Sequence, residues 1–308
     1  MGYVLVNATA VRSGGALSIL NQFLEGVKEY GGRDAFVVFV DPGFVGVKIG
    51  NVRYVPVDTR GWRKRIQWDR QGFKEWIDKN GIKPGLIVSL QNTAVNYSRE
   101  VPQLIYYHQL LTISSCKWNP LKRSEFLLFC YRNFYQYFVK RYLSPMSHVV
   151  VQMPFIKKDF LRVFDMPEEN VHVIPPKIER IGNDEEEGRS KEFCGQIRFI
   201  YPATGVAYKN HLVLLEALRL LREEERALFD DIRLVFTLKR GDNREVDKRV
   251  KRWGLEDVVV LGGVMPFQEL LACYKNMDAL LFPSFIETVG LPLLEAAGCG
   301  MAIKAADL

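Results

Sequence analysis

Several features are absent from this 308-residue sequence, and each absence narrows what the chain can be. No apolar run approaches the ~18 residues that a spanning helix needs, so no transmembrane helix is expected. The start, MGYVLVNATAVRSGG, lacks the basic head and long apolar core of a signal peptide, and VLVN reads instead as a first strand. The five cysteines (116, 130, 194, 273 and 299) are odd in number, widely spaced and without a C-x-x-C, which points to a reducing cytosol with neither disulfides nor zinc. There is no Asp-x-Asp and no His/Cys cluster, so no metal and no cofactor are expected. Nothing resembles a nucleic-acid-binding motif.

What is present suits a water-soluble globular chain, 48% hydrophobic and 25% charged, long enough for two domains. The net charge of +6 is unevenly spread. Residues 1–175 carry about 23 Lys and Arg against 14 Asp and Glu, about +9, and the remainder comes to about −3. A basic first half argues for a polyanionic or membrane-surface partner on one domain only.

Strand-like runs at Tyr3–Asn7, Ala35–Val40, Leu86–Leu90, Leu104–Tyr107 and His148–Val151 alternate with helical patterns near Arg63–Lys79, Lys122–Tyr142 and Pro154–Phe164. Such alternation calls for a parallel sheet with helices on both faces. Val171–Pro175 reads as a last strand, the polar, acidic 176–196 as a linker, and Ile197–Tyr201 as the start of a second domain. The expected division is thus 1–175, linker 176–196, and 197–308. After the first strand, Gly14-Gly15 open a helix from Ala16 to about Tyr30, a strand–glycine loop–helix unit of Rossmann type in which a ligand can approach the backbone. A plain tight turn answers to the same residues. His108 ends QLIYYHQ at the carboxyl end of a strand, where open α/β sheets hold ligands, although an ordinary hydrogen-bonded histidine fits there too.

The stretch from Asp278 to Gly300, DALLFPSFIETVGLPLLEAAGCG, organises the rest. An apolar strand is broken by Pro283-Ser284, and Gly290 and Pro292 mark a helix start at Leu291. Glu287 and Glu295 bracket that turn, on the order of 12 Å apart at ~1.5 Å per helical residue. That is about the span from sugar to ribose in a nucleotide-diphosphate sugar, with helix-start N–H groups between them for the phosphates. Two solvated acids flanking a surface helix fit the same spacing.

PSFIETVGLPLLEAAGCG resembles the E-x7-E signature of the retaining, GT-B-fold glycosyltransferases of family four, the group 1 transferases. Glu287 and Glu295 fall on the two signature glutamates, and Gly290-Leu291-Pro292 on its Gly-Leu-Pro. Thr288-Val289 stand where that family prefers Gly-Phe, and glycine there would let the loop backbone come closer to the sugar.

The resemblance implies two Rossmann-like domains facing a cleft. The first would bind the acceptor and the second a nucleotide sugar, with the anomeric configuration retained and no metal required. It implies donor contacts at Gly14, Gly15, Lys209, Asn210, Glu287, Thr288, Val289, Gly290, Leu291 and Glu295, and catalytic contributions from Lys209, Glu287 and His108. Lys209-Asn210 follows the second domain's first strand, where the family has a lysine after an arginine; here Tyr208 takes the arginine's position, with the loop Lys239-Arg240-Gly241-Asp242 as another source of charge. The family continues beyond the position of Leu308, so the second domain is expected to be incomplete at its carboxyl end.

Lys117–Leu143, KWNPLKRSEFLLFCYRNFYQYFVKRYL, places six basic residues and one acid among nine aromatics. That mixture suits the interface of an anionic bilayer, and a core helix with a solvated basic face would read similarly. The expected partners are therefore a nucleotide sugar, a glycan or lipid-linked acceptor of polysaccharide biosynthesis, and an anionic membrane surface, with no nucleic acid. The expected place is cytoplasmic, peripheral on the inner face of the membrane. A nucleotide-sugar-binding partner subunit of little or no activity, and a sugar-nucleotide epimerase of the same architecture, are the alternatives.

Overall fold

The computed structural model describes residues 2–12, 14–177 and 196–306. The chain divides into two compact units, Met1–Leu121 with Phe126–Lys177, and Lys122–Glu125 with Ile178–Leu308. Of the expected linker only Pro176, Lys177 and Gln196 lie within the described residues.

The first unit is a seven-stranded sheet: β1 (Tyr3–Ala8), β2 (Ala35–Val40), β3 (Val52–Pro56), β4 (Pro84–Ser89), β5 (Gln103–Tyr107), β6 (Ser147–Val151) and β7 (Val171–Val173). All its strand pairs are parallel, in the order β3-β2-β1-β4-β5-β6-β7. Parallel strands covered on both faces read as continuous apolar runs, and AFVVFV is such a run. Alternate residues serve the two faces. Val6, Ala8, Val38, Val40 and Val88 pack with Leu20 and Leu24 of α1 (Gly14–Tyr30), while Leu5, Val37, Phe39 and Ile87 pack with Trp68, Phe73 and Ile77 on the other side.

Those last three residues belong to one continuous run in place of the single helix expected near Arg63–Lys79. It comprises α2 (Trp62–Gln67), a π-helical turn (Trp68–Gly72) and α3 (Phe73–Asn80). The wide turn seats the Trp68 ring against Gly72, where an added Cβ would come within 2.8 Å of it. Helices α4 (Phe126–Lys140) and α5 (Pro154–Val163) complete the unit.

The second unit repeats the plan with β8 (Ile197–Tyr201), β9 (Ile232–Phe236), β10 (Val259–Leu261), β11 (Ala279–Phe282) and β12 (Ala302–Ala305), again all parallel, in the order β10-β9-β8-β11-β12. Its helices are α6 (His211–Glu224), α7 (Arg226–Asp230), α8 (Arg244–Arg252), α9 (Phe267–Asn276) and α10 (Leu291–Gly298). One apolar core joins Ile200, Leu215, Leu234, Phe236, Val246 and Leu280. Asn243 caps α8 by accepting from the amides of Glu245 and Val246.

In each sheet the strand order reverses once, between β1 and β4 in the first and between β8 and β11 in the second. Open α/β sheets bind ligands outside the carboxyl ends of the strands at such a reversal. The topology therefore names two places to look.

Candidate active site

At the reversal point of the second sheet, the segments leaving β8 and β11 are tied together. β8 ends at Tyr201, and the chain passes through a 3-10 turn (Ala207–Lys209) to Asn210, which adopts the left-handed conformation (φ 55°) and precedes α6 without a side-chain capping bond. β11 leads through Pro283-Ser284 to Glu287. The Phe285 amide donates to the Tyr208 carbonyl (2.8 Å). The Tyr201 hydroxyl donates to the Lys209 carbonyl (2.7 Å) and lies 2.7 Å from the hydroxyl of Ser284. Ser284 in turn is 3.0 Å from Glu287 Oε1, and the Lys209 ammonium is ion-paired with that same oxygen. Both side chains of the pair are only 16% exposed, so their charges meet with little water between them. Burial pushes the Tyr201 phenol well above its ordinary value, which keeps it a donor.

Beyond Glu287 come Thr288 and Val289, both half-buried, then Gly290 at φ 65° and α10. The Leu293 amide turns back to the Gly290 carbonyl (2.8 Å), and Pro292 has no N–H. Among the described residues, the amides of Gly290 and Leu291 are thus the donors that this helix start leaves open to an anion. Glu295 lies one turn on, where its Oε2 accepts from the Tyr274 hydroxyl of α9 (3.1 Å). Burial and the charge of Glu295 raise the Tyr274 phenol, so that contact also keeps its proton.

The second unit therefore carries Lys209, Asn210, Glu287, Thr288, Val289, Gly290, Leu291 and Glu295 on the two segments that leave β8 and β11, with Lys209 and Glu287 in contact. The spare loop Lys239–Asp242 is held by its own Asp242, which accepts from the Lys239 amide (2.8 Å). Lys239 and Arg240 are exposed and make no ion pair among the described residues. Tyr208, in place of an arginine, offers its ring to Lys209 (5.5 Å from ammonium to ring centroid).

Sequence reasoning passed over Tyr201, Tyr274 and His211, which fix this site from behind. His211 is buried against the rings of Tyr201 and Phe236, and burial followed by the Lys209 charge pushes it down to about 4, so it is neutral. The signal for Tyr201 and His211 was position alone, the end of a strand and the first turn of a helix on either side of the loop that carries Lys209, whereas Tyr274, in the last turn of α9, gave none.

Gly14, Gly15 and His108 lie in the first unit, on the carboxyl edge of its own sheet. Gly14 (φ 62°) and Gly15 open α1, and a Cβ on either would meet nothing within 4 Å. Packing within the unit therefore does not demand both glycines. His108 follows β5, its amide donating to Asn92 Oδ1 (2.7 Å). Desolvation, then the charge of Arg65, pushes its imidazole down to about 4. Among the described residues no three His, Cys, Asp or Glu side chains group as metal ligands, and no helix is long and apolar enough to cross a membrane.

These sites can be set beside known proteins. Residues 183–307 match the family model described as glycosyl transferases group 1, a span that contains the whole Lys209–Glu295 constellation. The fold of the chain is that of the GT-B glycosyltransferases. It superposes on WaaG, a glycosyltransferase involved in lipopolysaccharide biosynthesis, with a TM-score of 0.68 at 13% identity, covering 98% of this chain and 80% of that one. For the sucrose-phosphate synthase of Thermosynechococcus elongatus the values are 0.69 and 15%, covering 99% and 81%. Anabaena HepE, solved in complex with UDP, gives 0.59 and 14%, covering 100% and 81%.

By sequence, the D-inositol 3-phosphate glycosyltransferase of Pseudarthrobacter chlorophenolicus is 33% identical over 99 residues, 32% of this chain and 23% of that protein. Its counterpart in an Arthrobacter species is 24% identical over 112 residues, 36% of this chain and 27% of that protein. The matched segment thus spans about a quarter of the length of these curated relatives.

Proposed function

We propose that this chain transfers a glycosyl group from a nucleotide-diphosphate sugar, held by the second unit, to an acceptor hydroxyl, with retention of configuration. The observation that carries the reading is the meeting of Lys209, Glu287, Glu295 and the open amides of Gly290 and Leu291 at one strand reversal. Two carboxylates suit the hydroxyls of sugar and ribose, and a lysine with helix-start amides suits the diphosphate between them.

The chemical difficulty is the departure of the nucleoside diphosphate, on which negative charge grows as the glycosidic bond lengthens. Lys209 and the two amides, fixed in place before reaction, would stabilise that charge. No step here calls for a metal. In this reading Glu287, which meets Lys209 and Ser284, accepts from sugar hydroxyls, and Glu295, which meets Tyr274, from the ribose. His108 and the Gly14-Gly15 turn belong to the acceptor-binding unit in this reading, and His108 offers a neutral imidazole.

The acceptor in this reading is a glycan or lipid-linked precursor met at an anionic membrane surface, to which α4 attaches the protein peripherally. Leu128, Tyr135 and Val139 turn α4 inward, while Phe126, Leu127, Phe134 and Tyr137 form a second, exposed face on its far side. A helix apolar on two faces has more apolar surface than its own unit covers.

The test is to offer a panel of nucleoside-diphosphate sugars with lipid-linked and soluble acceptors, and to follow nucleotide release and the anomeric configuration of the product by NMR. Binding without release points to the partner-subunit reading. An epimerised sugar without transfer points to the epimerase. An inverted product overturns retention.

A further inference from the structure

The reversal point of the first sheet carries charge that the glycosyl-transfer reading has not used. Asn7 near the end of β1 and Gln91 just past β4 converge there on Asp69 from the π-helical turn, and Thr9 donates to Gln91 Oε1 (3.2 Å). Asp69 accepts from Asn7 Nδ2 (3.1 Å), Gln91 Nε2 (3.2 Å) and Thr93 Oγ1 (3.1 Å). Four residues earlier, at the reach of one helical turn, Arg65 donates through a single nitrogen, Nη2, to the Gln91 carbonyl (2.6 Å) and the Tyr135 hydroxyl (3.1 Å).

Both partners of that nitrogen are neutral. No carboxylate among the described residues lies within 4 Å of the guanidinium, and its Nη1 and Nε have no hydrogen-bond partner there. Asp69 is close enough to feel Arg65, yet it spends its oxygens on three neutral donors. A guanidinium is always charged, has five N–H donors, and is costly to strip of water without an opposite charge. Arg65 is half-buried and keeps a way out to solvent.

On the same edge, just past β5, is His108, also half-buried, whose Nδ1 is fully buried with no partner and whose imidazole is held low by desolvation and then by the charge of Arg65. A cation with its Nη1 and Nε donors unspent and a neutral ring with a buried, unpartnered Nδ1 thus share one carboxyl edge. The edge lies in the half of the chain that carries about +9.

We propose that Arg65, with His108 beside it, is a phosphate-binding subsite on the first unit, and that the acceptor is consequently a phosphorylated molecule rather than a neutral sugar. This rests on the glycosyl-transfer reading for the word acceptor but not for the subsite itself. Nη1 and Nε leave three N–H donors for the oxygens of a phosphate, more than a single hydroxyl can use. A bound phosphate would supply the charge that Arg65 lacks and would bring an acceptor for a proton on His108. Thr9 and Asp69 act as positioning residues, since they hold the side chain of Gln91, the residue whose backbone carbonyl accepts from the guanidinium.

The experiment uses the whole chain and reads the His108 imidazole by long-range proton–nitrogen NMR, the sequence having only four histidines and His108→Gln identifying the signal. The probes are glycerol 1-phosphate, glycerol, and phosphatidylglycerol vesicles, each added with UDP in excess so that the second unit is occupied. Glycerol 1-phosphate is expected to shift the His108 signals saturably and glycerol to leave them unmoved. Arg65→Gln is expected to weaken the effect about tenfold or more, as loss of a charge-assisted contact does. A shift with vesicles alone supports the subsite and assigns its phosphate to a lipid headgroup. A shift with the soluble ester supports it and admits soluble acceptors.

Unmoved His108 signals in both phosphate arms, or the same midpoint in Arg65→Gln, overturn the subsite. Should Arg65→Gln fail to fold, Arg65→Lys keeps the charge and loses the open Nη1 and Nε donors, and an unchanged midpoint in that variant overturns it equally. Calorimetry of UDP on the same samples keeps the two ideas apart. UDP binding without the phosphate effect refutes the subsite alone, and a phosphate effect without UDP binding refutes the transferase reading alone.

Discussion

Lys209 and Glu287, 78 residues apart in the chain, are ion-paired at the carboxyl edge of the second sheet. Each suits a different part of a nucleotide sugar, so the pair is a resting arrangement in which each charge occupies the other. A diphosphate arriving at Lys209 competes with Glu287, and a sugar arriving at Glu287 loosens its hold on Lys209. The two substitutions should therefore not be equivalent. Lys209→Ala and Glu295→Ala are each expected to weaken UDP binding by about 1–3 kcal/mol through lost charged hydrogen bonds. Glu287→Ala is expected to leave UDP binding as tight or tighter, while discrimination among UDP-sugars falls. Calorimetry with UDP and a set of UDP-sugars checks all three, and weakened UDP binding in Glu287→Ala would sink the competition.

Gly290 is the second lever on the site. At φ 65° an L side chain is strained by about 1–2 kcal/mol, and a Cβ here would come within 2.9 Å of Leu293 Cδ1. Gly290→Ala is expected to lower the urea midpoint accordingly. It should lower UDP affinity too, because the amides of residues 290 and 291 would be re-aimed. Stability and affinity both matching the parent would show that the helix start tolerates the change and is not held in one geometry.

The donor half of this arrangement was legible in the sequence because its parts are local. Glu287, Gly290, Pro292 and Glu295 lie within nine residues of one another, and strand, turn and helix start can be read directly from such a stretch. The repeated strand–helix alternation gave the parallel sheets for a similar reason. β3 and β9 were missed: VRYVP is half-exposed and short, and IRLVF follows a charged helix end without a glycine to mark it. The network of Asn7, Arg65, Asp69 and Gln91 was illegible because its members come from three separate segments and meet only through the strand order. The basic segment was read as one stretch, yet Lys122–Glu125 groups with the second unit and α4 with the first.

Asp69 makes stability depend on pH in the unusual direction for an acid. Burial raises it from 3.8 to about 6, against the lowering effects of Arg65 and its hydrogen bonds. A carboxyl raised in the folded state favours folding fully below its unfolded value, and that advantage is lost as pH rises through the folded one. Between pH ~4 and ~6 the chain thus loses on the order of 3 kcal/mol from this group. Asp69→Asn keeps an oxygen for Asn7 and Gln91, and Thr93 can turn its hydroxyl to accept from the new amide. The variant is expected to be more stable than the parent at pH 8 and no more stable at pH 4, by urea unfolding at both. A constant difference across that range would show that Asp69 is ionised throughout.

The outward face of α4 gives the last prediction, attachment to an anionic bilayer. Phe126, Leu127, Phe134 and Tyr137 are exposed along one side of the helix, with Arg141 continuing the line just past its end. Aromatic and leucine side chains on that side can enter the headgroup region, while Lys140 and Arg141 meet the lipid phosphates, each basic residue contributing about 1 kcal/mol near the surface. Two such charges hold the protein only weakly, so the apolar residues must supply the rest. Phe134→Ser with Tyr137→Ser is therefore expected to release the chain from phosphatidylglycerol vesicles more completely than Lys140→Glu with Arg141→Glu. The charge reversal should matter chiefly at low salt, because the Debye length shortens from ~10 Å at 0.1 M to ~3 Å at 1 M. UDP affinity, read in the second unit, should be untouched in both pairs. Co-sedimentation at two salt concentrations measures this. If the parent chain stays in the supernatant at low salt, the exposed face of α4 meets a protein and not a membrane.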